Sequence, residues 1–540
     1  MHAPSGAFGA ERIQPPWLEQ ALAPWRACRQ RILVVADGAL DFNESNGLGL
    51  TELLGTLATS DPFGLHPIVT IAHRDDNERK ASVAIKTRFA FLRDFRFIDA
   101  NRPEALMHGD DRHFDQIWLF GSGTVPIADD EVRVIARFMQ ARGGVFATGD
   151  HEHLGSGLSA RLPRVRKMRA WFGPPSPGRP RYDNVPMLYD GCDIAPRRVF
   201  AHVSSQAPRC WIVHPLMRQG ARSGASFGAI SVLPRPPRDV ECLSGIALGD
   251  AYALVNGVDP NEFPMLPFSR VRLSPEIVAT ALSSARHVDQ GPTRPRCIGL
   301  ISAYDGHRVG VGRIVCDSTW HHFINVNLNG MGADPPHRGL YDRLGYPTEA
   351  LRDVTRYYEN IAGWLGQVRH CRWFVDILVQ RFKTPLLEEL VDAHATPQWA
   401  QCVDLGHKVG AALDAVRGRG TGFDLVRDAL VDLPAASALA GIHEVDALAR
   451  YEPALLPSEE FASGLLGAMA HEVIARLPDN AWELAPRFTA MARPLELADH
   501  VISLGLERGL KLAAAYYEQA ARHTLDLVHA LQPVRVEPAS

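Results

Sequence analysis

The sequence predicts an α/β protein built on a doubly wound, mostly parallel sheet, with an irregular β-containing insertion and an all-α C-terminal region. Three observations predict it. From Arg31 onward, short continuous apolar runs alternate with amphipathic helical stretches, the pattern of strands buried on both faces. Between about 170 and 295 the chain becomes rich in Pro and Arg (FGPPSPGRPRYDNVP, VLPRPPRDVE, DQGPTRPR) and carries only short strand-like pieces. After about 340 helical periodicity runs to the end.

The elements follow in order. RILVVAD (31–37) reads as the first buried strand, and LGLTELLGTLATS (48–60) as an amphipathic helix. HPIVTIAH (66–73), FRFIDA (95–100) and FDQIWLFG (114–121) read as further strands, the last ended by GSG. ADDEVRVIARFMQARGG (128–144) is a helix with three acidic residues in its first turn, a 3–4 apolar spacing and a Gly-Gly close. VFAT (145–148) is the next strand. SFGAISVL and DAYALVNGV are the strand-like pieces of the insertion. RCIGLISAYDG (296–306) and VGVGRIVCDSTWHHF (309–323) read as a strand pair joined by a Gly-containing turn. The helical region includes PTEALRDVTRYYENIAGWLGQVR, RWFVDILVQRFKTPLLEELVDA and a long final segment starting at ADHVISLG. The expected divisions are an N-terminal leader over 1–30, an α/β domain over 31–335 with its insertion at about 170–295, and a helical domain over 340–540.

A chain of 540 residues is too long for one ordinary core. Its composition, 46% hydrophobic and 22% charged with a net charge of −4, argues against a general nucleic-acid partner. No apolar run approaches the ~20 residues needed to span a bilayer, so no membrane partner is expected. The first residues lack the charged-then-apolar order of a signal peptide. The eight cysteines form no CxxC pair, which fits reduced, buried thiols and a cytoplasmic location.

Chemistry-bearing residues collect at the predicted strand ends, where ligands bind in open parallel sheets. The first strand leads to Asp37, Asp41, Asn43 and Glu44, and the fourth to Gly121, Ser122 and Gly123. VFAT leads to Asp150, His151, Glu152 and His153 in GGVFATGDHEHLG, and the late strand to Asp317, Ser318, His321 and His322 in DSTWHH.

The order strand–GSG, helix, strand–TGDHE and late GRIVCDSTWHH strand resembles the class I glutamine amidotransferase-like superfamily, its ThuA-like branch above all, over roughly residues 31 to 335. The resemblance implies a flavodoxin-like, amidotransferase-like sheet. It implies an oxyanion or ligand-binding role for the Gly121-Ser122-Gly123 turn, the elbow position for Asp150, and the histidine position for His321 or His322. The sequence departs from the family in having no Cys or Ser at the elbow, and Phe323 and Ile324 stand near where an acidic partner of the His is usual. Glutamine hydrolysis through a thioester is therefore excluded.

Two chemistries remain for the cluster. His151 and His153, at i and i+2 of an extended segment, point the same way and with Asp317 form a candidate site for a divalent metal: zinc, manganese or iron. Such a metal would generate a hydroxide nucleophile. Without metal, Asp150, Glu152, His321 and His322 supply general acid and base, with Asp37, Asn43 and the GSG amides holding ligand. Each feature also has a plain structural reading: solvated turn, half-buried histidine pair, helix cap. The basic run SARLPRVRKMRAW reads as a solvated helix face with local salt bridges, or else as a patch that steers an anionic substrate or a nucleic-acid backbone. The expectation is a hydrolase of a small amide, ester or sugar-related substrate. The alternative is a non-catalytic small-ligand-binding or assembly module, with self-association or a protein partner through the helical region.

Overall fold

The computed structural model of the chain describes residues 28–59, 65–98, 106–108, 111–150, 153–171, separate stretches between 197 and 292, 297–333 and 336–366; in the C-terminal part it describes 374, 378, 396–417, 421–431, 458–476 and 497–530. The 1–30 leader, apart from Cys28–Gln30, and DAYALVNGV lie outside these residues, as does RWFVDILVQRFKTPLLEELVDA apart from Phe374 and Leu378.

Ten strands form one sheet: β1 Cys28–Ala36, β2 Leu65–His73, β3 Ala90–Leu92, β4 Gln116–Phe120, β5 Gly144–Thr148, β6 Arg197–Ala201, β7 Val232–Leu233, β8 Glu276–Leu282, β9 Cys297–Tyr304 and β10 Ile314–Asp317. Their order across the sheet is β3-β2-β1-β4-β5-β10-β9-β8-β6-β7. The first six in that order run parallel. The remaining four extend the β10 edge by antiparallel pairing. Part of the predicted insertion, β6 to β8, thus continues the sheet.

Strand alternation explains why the runs are apolar at every position. Ile32, Val34 and Ala36 enter one hydrophobic core, while Leu33 and Val35 enter the other. Trp118 and Phe120 divide from Ile117 and Leu119 in the same way, and Phe146 from Val145 and Ala147. Successive side chains of a strand face opposite sides, so a sheet covered on both faces needs apolar residues throughout.

Helices supply the two covers. On one face lie α1 (Thr51–Thr59), through Leu53, Leu54 and Leu57, and α7 (Glu349–Leu365), through Leu351, Val354, Tyr357, Tyr358 and Ile361. On the other lies α3 (Asp129–Gln140), through Val132, Ile135, Phe138 and Met139. The short helices α2 (Val83–Arg88), α4 (Ser156–Ser159), α5 (Val165–Met168) and α6 (Asn325–Leu328) close the connections. Although α7 falls in the predicted helical region, it covers the sheet. Thr348 caps its start by accepting from the Leu351 amide.

The other C-terminal helices build a core of their own. They are α8 (Trp399–Arg417), α9 (Thr421–Val431), α10 (Ser458–Ile474) and α11 (Leu497–Ala530), meeting at Leu405, Val409, Leu466, Met469 and Leu506. Arg218 joins this unit to the sheet-bearing one through an ion pair with Asp424, Nη1 to Oδ2 at 2.6 Å. Among the described residues no helix is long and apolar enough to cross a membrane.

One expected strand is not one. The described part of FRFIDA, Phe95–Ile98, pairs with no strand among the described residues; the edge strand is the preceding Ala90–Leu92. Phe95 and Phe97 are buried as loop residues, edge to face at 5.1 Å, and their amides bond to the His73 carbonyl and to Glu131 Oε1.

Candidate functional site

Between β1 and β4 the chain order reverses: it leaves β1 toward β2 on one side and returns at β4 on the other. The crevice beyond the carboxyl ends of such neighbours is where open α/β sheets take ligands. Here the crevice is bridged from within. Asp37, next after β1, accepts at Oδ1 from the Ser122 amide at 2.6 Å and from the Gly123 amide at 2.8 Å. Ser122 Oγ donates to the Asp37 carbonyl at 3.1 Å and accepts from the Ala39 amide at 2.7 Å. The amides expected to cradle an oxyanion therefore hold this chain's own carboxylate. Burial pushes the Asp37 carboxyl above its usual range, and the two amides and Arg74 only partly offset it.

Asn43 is likewise turned to internal use. Its side-chain amide donates to Asp41 Oδ2 at 2.8 Å and to the Arg79 carbonyl at 2.7 Å. It braces the loop after β1.

The turn after β5 carries Asp150. Its amide donates to the Leu154 carbonyl at 3.1 Å, and Gly155, at φ +87°, turns the chain into α4. The left-handed conformation favours glycine, and here space does too. A Cβ on Gly155 would fall 2.7 Å from the Gly121 carbonyl oxygen, and one on Gly121 2.8 Å from the Gly155 Cα. The GSG turn and the elbow thus touch backbone to backbone.

Asp150 is 2% exposed and His321 4%. Asp150 Oδ2 lies 3.2 Å from His321 Nε2, and Oδ1 accepts from the Thr319 hydroxyl at 3.2 Å. On its other side His321 Nδ1 lies 3.2 Å from Asn327 Oδ1. The two ring nitrogens thus face side-chain oxygens, one of the Asp150 carboxylate and one of the Asn327 amide. The Thr319 hydroxyl also accepts from the His321 amide at 3.1 Å, which fixes the turn that presents the ring.

The neighbouring histidine goes elsewhere. His322 is fully buried, with Nδ1 2.9 Å from Asp317 Oδ2. That oxygen also accepts from the Tyr357 hydroxyl at 2.9 Å, while Oδ1 accepts from the Thr319 amide at 3.1 Å. Tyr358 donates to the His322 carbonyl. His322 and Asp317 therefore tie the late turn to α7, while His321 reaches Asp150.

The expected metal set does not assemble from the described donors. His151 and Glu152 lie outside the described residues, and His153 is exposed on the turn. Asp317 is buried with both oxygens engaged. Among the described residues no three His, Cys, Asp or Glu side chains form a group able to hold a metal ion.

The basic run after the elbow makes the salt bridges expected of it, but two of its members, Arg164 and Arg169, are buried. Arg161 pairs with Asp129, and Arg166 forks onto Glu262 with both bonds at 2.7 Å. Lys167 adds a longer contact to Glu262 at 3.9 Å, and Arg164 donates to the Glu262 carbonyl at 2.9 Å. Arg169 is buried beneath the elbow, its Nη2 on the Asp150 carbonyl at 3.0 Å. Arg169, Thr319, Asn327 and Tyr357 are the site residues that the sequence reading missed. For Thr319 and Asn327 a signal existed, their place within ten residues of Asp317.

Comparison of the chain with protein-family models, with curated proteins and with solved structures finds no match.

Proposed function

We propose that this chain is an amidotransferase-like hydrolase, acting on a small amide, ester or sugar-related substrate, with Asp150 and His321 as its catalytic pair. The observation that carries the reading is the 3.2 Å contact between His321 Nε2 and Asp150 Oδ2, made by residues 171 positions apart at the ends of adjacent strands. With the short edge strand β3 set aside, the parallel strands run in the order 2-1-3-4-5, which supports the flavodoxin-like layout.

In this reading Asp150, held by Thr319 and His321, takes a proton from an attacking water. His321, oriented by Asn327, gives its Nε2 proton to the leaving group, and Asp150 returns the proton taken from water to that nitrogen across the 3.2 Å contact. Such positioned acid–base pairs contribute roughly 10²–10⁴-fold to rate. No thiol stands at the elbow, so a thioester route has no nucleophile. Glu152 and His151, next to Asp150 in the sequence, are proposed as further proton carriers, and a cytoplasmic location is part of the proposal.

One observation favours a second reading, a small-ligand-binding module without turnover. The Ser122 and Gly123 amides are given to Asp37, and Asp150 and His321 are almost wholly buried. A panel of chromogenic small esters, amides and glycosides decides between the readings. Turnover by the purified protein that Asp150→Asn and His321→Gln both abolish supports the hydrolase. A wild type no faster than the two variants on every substrate overturns it.

A further inference from the structure

Arg169 is 1% exposed, yet it carries a charge and five N–H donors into the interior. Two of those donors are used. Nη2 bonds to the Asp150 carbonyl at 3.0 Å and to the Ser318 carbonyl at 2.9 Å. Nε and Nη1 meet no hydrogen-bond partner among the described residues. The guanidinium carbon lies 4.5 Å over the Trp171 ring. A Cβ on Gly149 would fall 3.2 Å from Nη1, so the guanidinium is seated against the elbow backbone itself.

Burying a cation with most of its donors unmade is costly, and an apolar side chain of the same bulk would fill the space more cheaply. What Arg169 supplies instead is a link. One carbonyl belongs to the turn that carries Asp150. The other belongs to the turn that carries Thr319 and His321. Burial pulls the Arg169 guanidinium below its ordinary value, and the negative charge of Asp150 and Asp317 only partly offsets it. Cys242 and Cys316 complete the surroundings as neutral thiols, since burial pushes Cys242 up to about 12 and Cys316 well above its ordinary value.

We infer that Arg169 is a positioning residue that sets the separation of Asp150 and His321 by clamping the carbonyls of the two turns that carry them. The inference rests on the acid–base reading of that pair, but its test does not need turnover. The probe is the His321 ring N–H bonded to Asp150, followed by proton NMR of protein labelled at histidine. The signal is assigned by its loss in His321→Gln and its shift in Asp150→Asn.

In Arg169→Met, with native circular dichroism, the signal should be lost or shifted, and Arg169→Lys should restore it in part because a cation again reaches the carbonyls. A folded Arg169→Met protein with the wild-type ring signal overturns the proposal. If the Met variant fails to fold, Arg169→Lys alone decides: a displaced signal in a folded protein supports the clamp, and an unchanged one overturns it. A ring signal that moves in an enzyme without turnover would sink the hydrolase reading and leave the clamp standing. Turnover that requires Asp150 beside an unmoved signal would do the reverse.

Discussion

The Asp37 carboxylate occupies the turn amides of Ser122 and Gly123, 85 and 86 residues further along the chain, at 2.6 and 2.8 Å. An internal anion thus stands at the reversal of strand order. Its folded-state carboxyl lies above the ordinary value of 3.8, so the folded protein binds that proton more tightly than the unfolded chain. The contribution to stability is full below the ordinary value and is lost as pH rises through the raised one. Asp37→Asn keeps an oxygen for the amides and carries no charge. It should be at least as stable as wild type at pH 7, with the difference narrowing in acid. Asp37→Ala should lose roughly 1–3 kcal/mol, because two amides are left without an acceptor. Urea denaturation across pH checks both.

Glu131 predicts the opposite sign. Burial pushes its carboxyl up, but the Arg74 guanidinium, at 2.7 and 3.0 Å, and the Phe97 and Ala128 amides outweigh burial and hold it below its ordinary value of 4.5. Its contribution is present above that value and is lost as pH falls through the lowered one. Glu131→Gln should cost about 2 kcal/mol at pH 7, the scale of hydrogen bonds to a charged group. The cost should shrink in acid, which denaturation at pH 7 and pH 3 will show.

The two adjacent histidines should separate cleanly on mutation. His321→Gln and Asp150→Asn are expected to cut turnover by about 10²-fold or more, and to lower Tm as well because one partner of a nearly buried pair is removed. Asp317→Asn and Tyr357→Phe are expected to lower Tm, since they disrupt a fully buried hydrogen-bonded set, while the folded protein keeps turnover. Thermal scans run beside the substrate panel, assayed well below each Tm, distinguish the pairs; equal loss of turnover in both would remove the distinction.

Arg218 and Asp424 connect two separate cores. Arg218→Met leaves Asp424 without that partner and should cost roughly 3 kcal/mol. Calorimetry should show a single unfolding transition broaden or split as the helical unit and the sheet lose this tie.

What could be read in the sequence was set by distance along the chain. β1, β4, β5 and α3 were legible because each carries its own periodicity, and two-sided burial leaves an unbroken apolar run. FRFIDA misled for the same reason: Phe95 and Phe97 alternate like a strand, but they are buried by a loop whose amides go to His73 and Glu131. Site residues were legible as a set of strand ends and illegible as pairs. Nothing local distinguishes His321 from His322; the choice is made by Asp150 for one, and by Asp317 with Tyr357 for the other. The salt bridges of the basic run were legible but their main partner was not, because Glu262 lies about a hundred residues away.

The contact between Gly121 and Gly155 has an evolutionary consequence. Because a methyl group on either would run into the main chain of the other, the two positions share one vacancy, and neither can accept a side chain while its neighbour stays in place. Drift at this corner must therefore proceed by moving whole turns, carrying Ser122 and Asp150 with them. Chemistry at the elbow can change by exchanging the residue at 150 far more readily than by reshaping the ground it stands on.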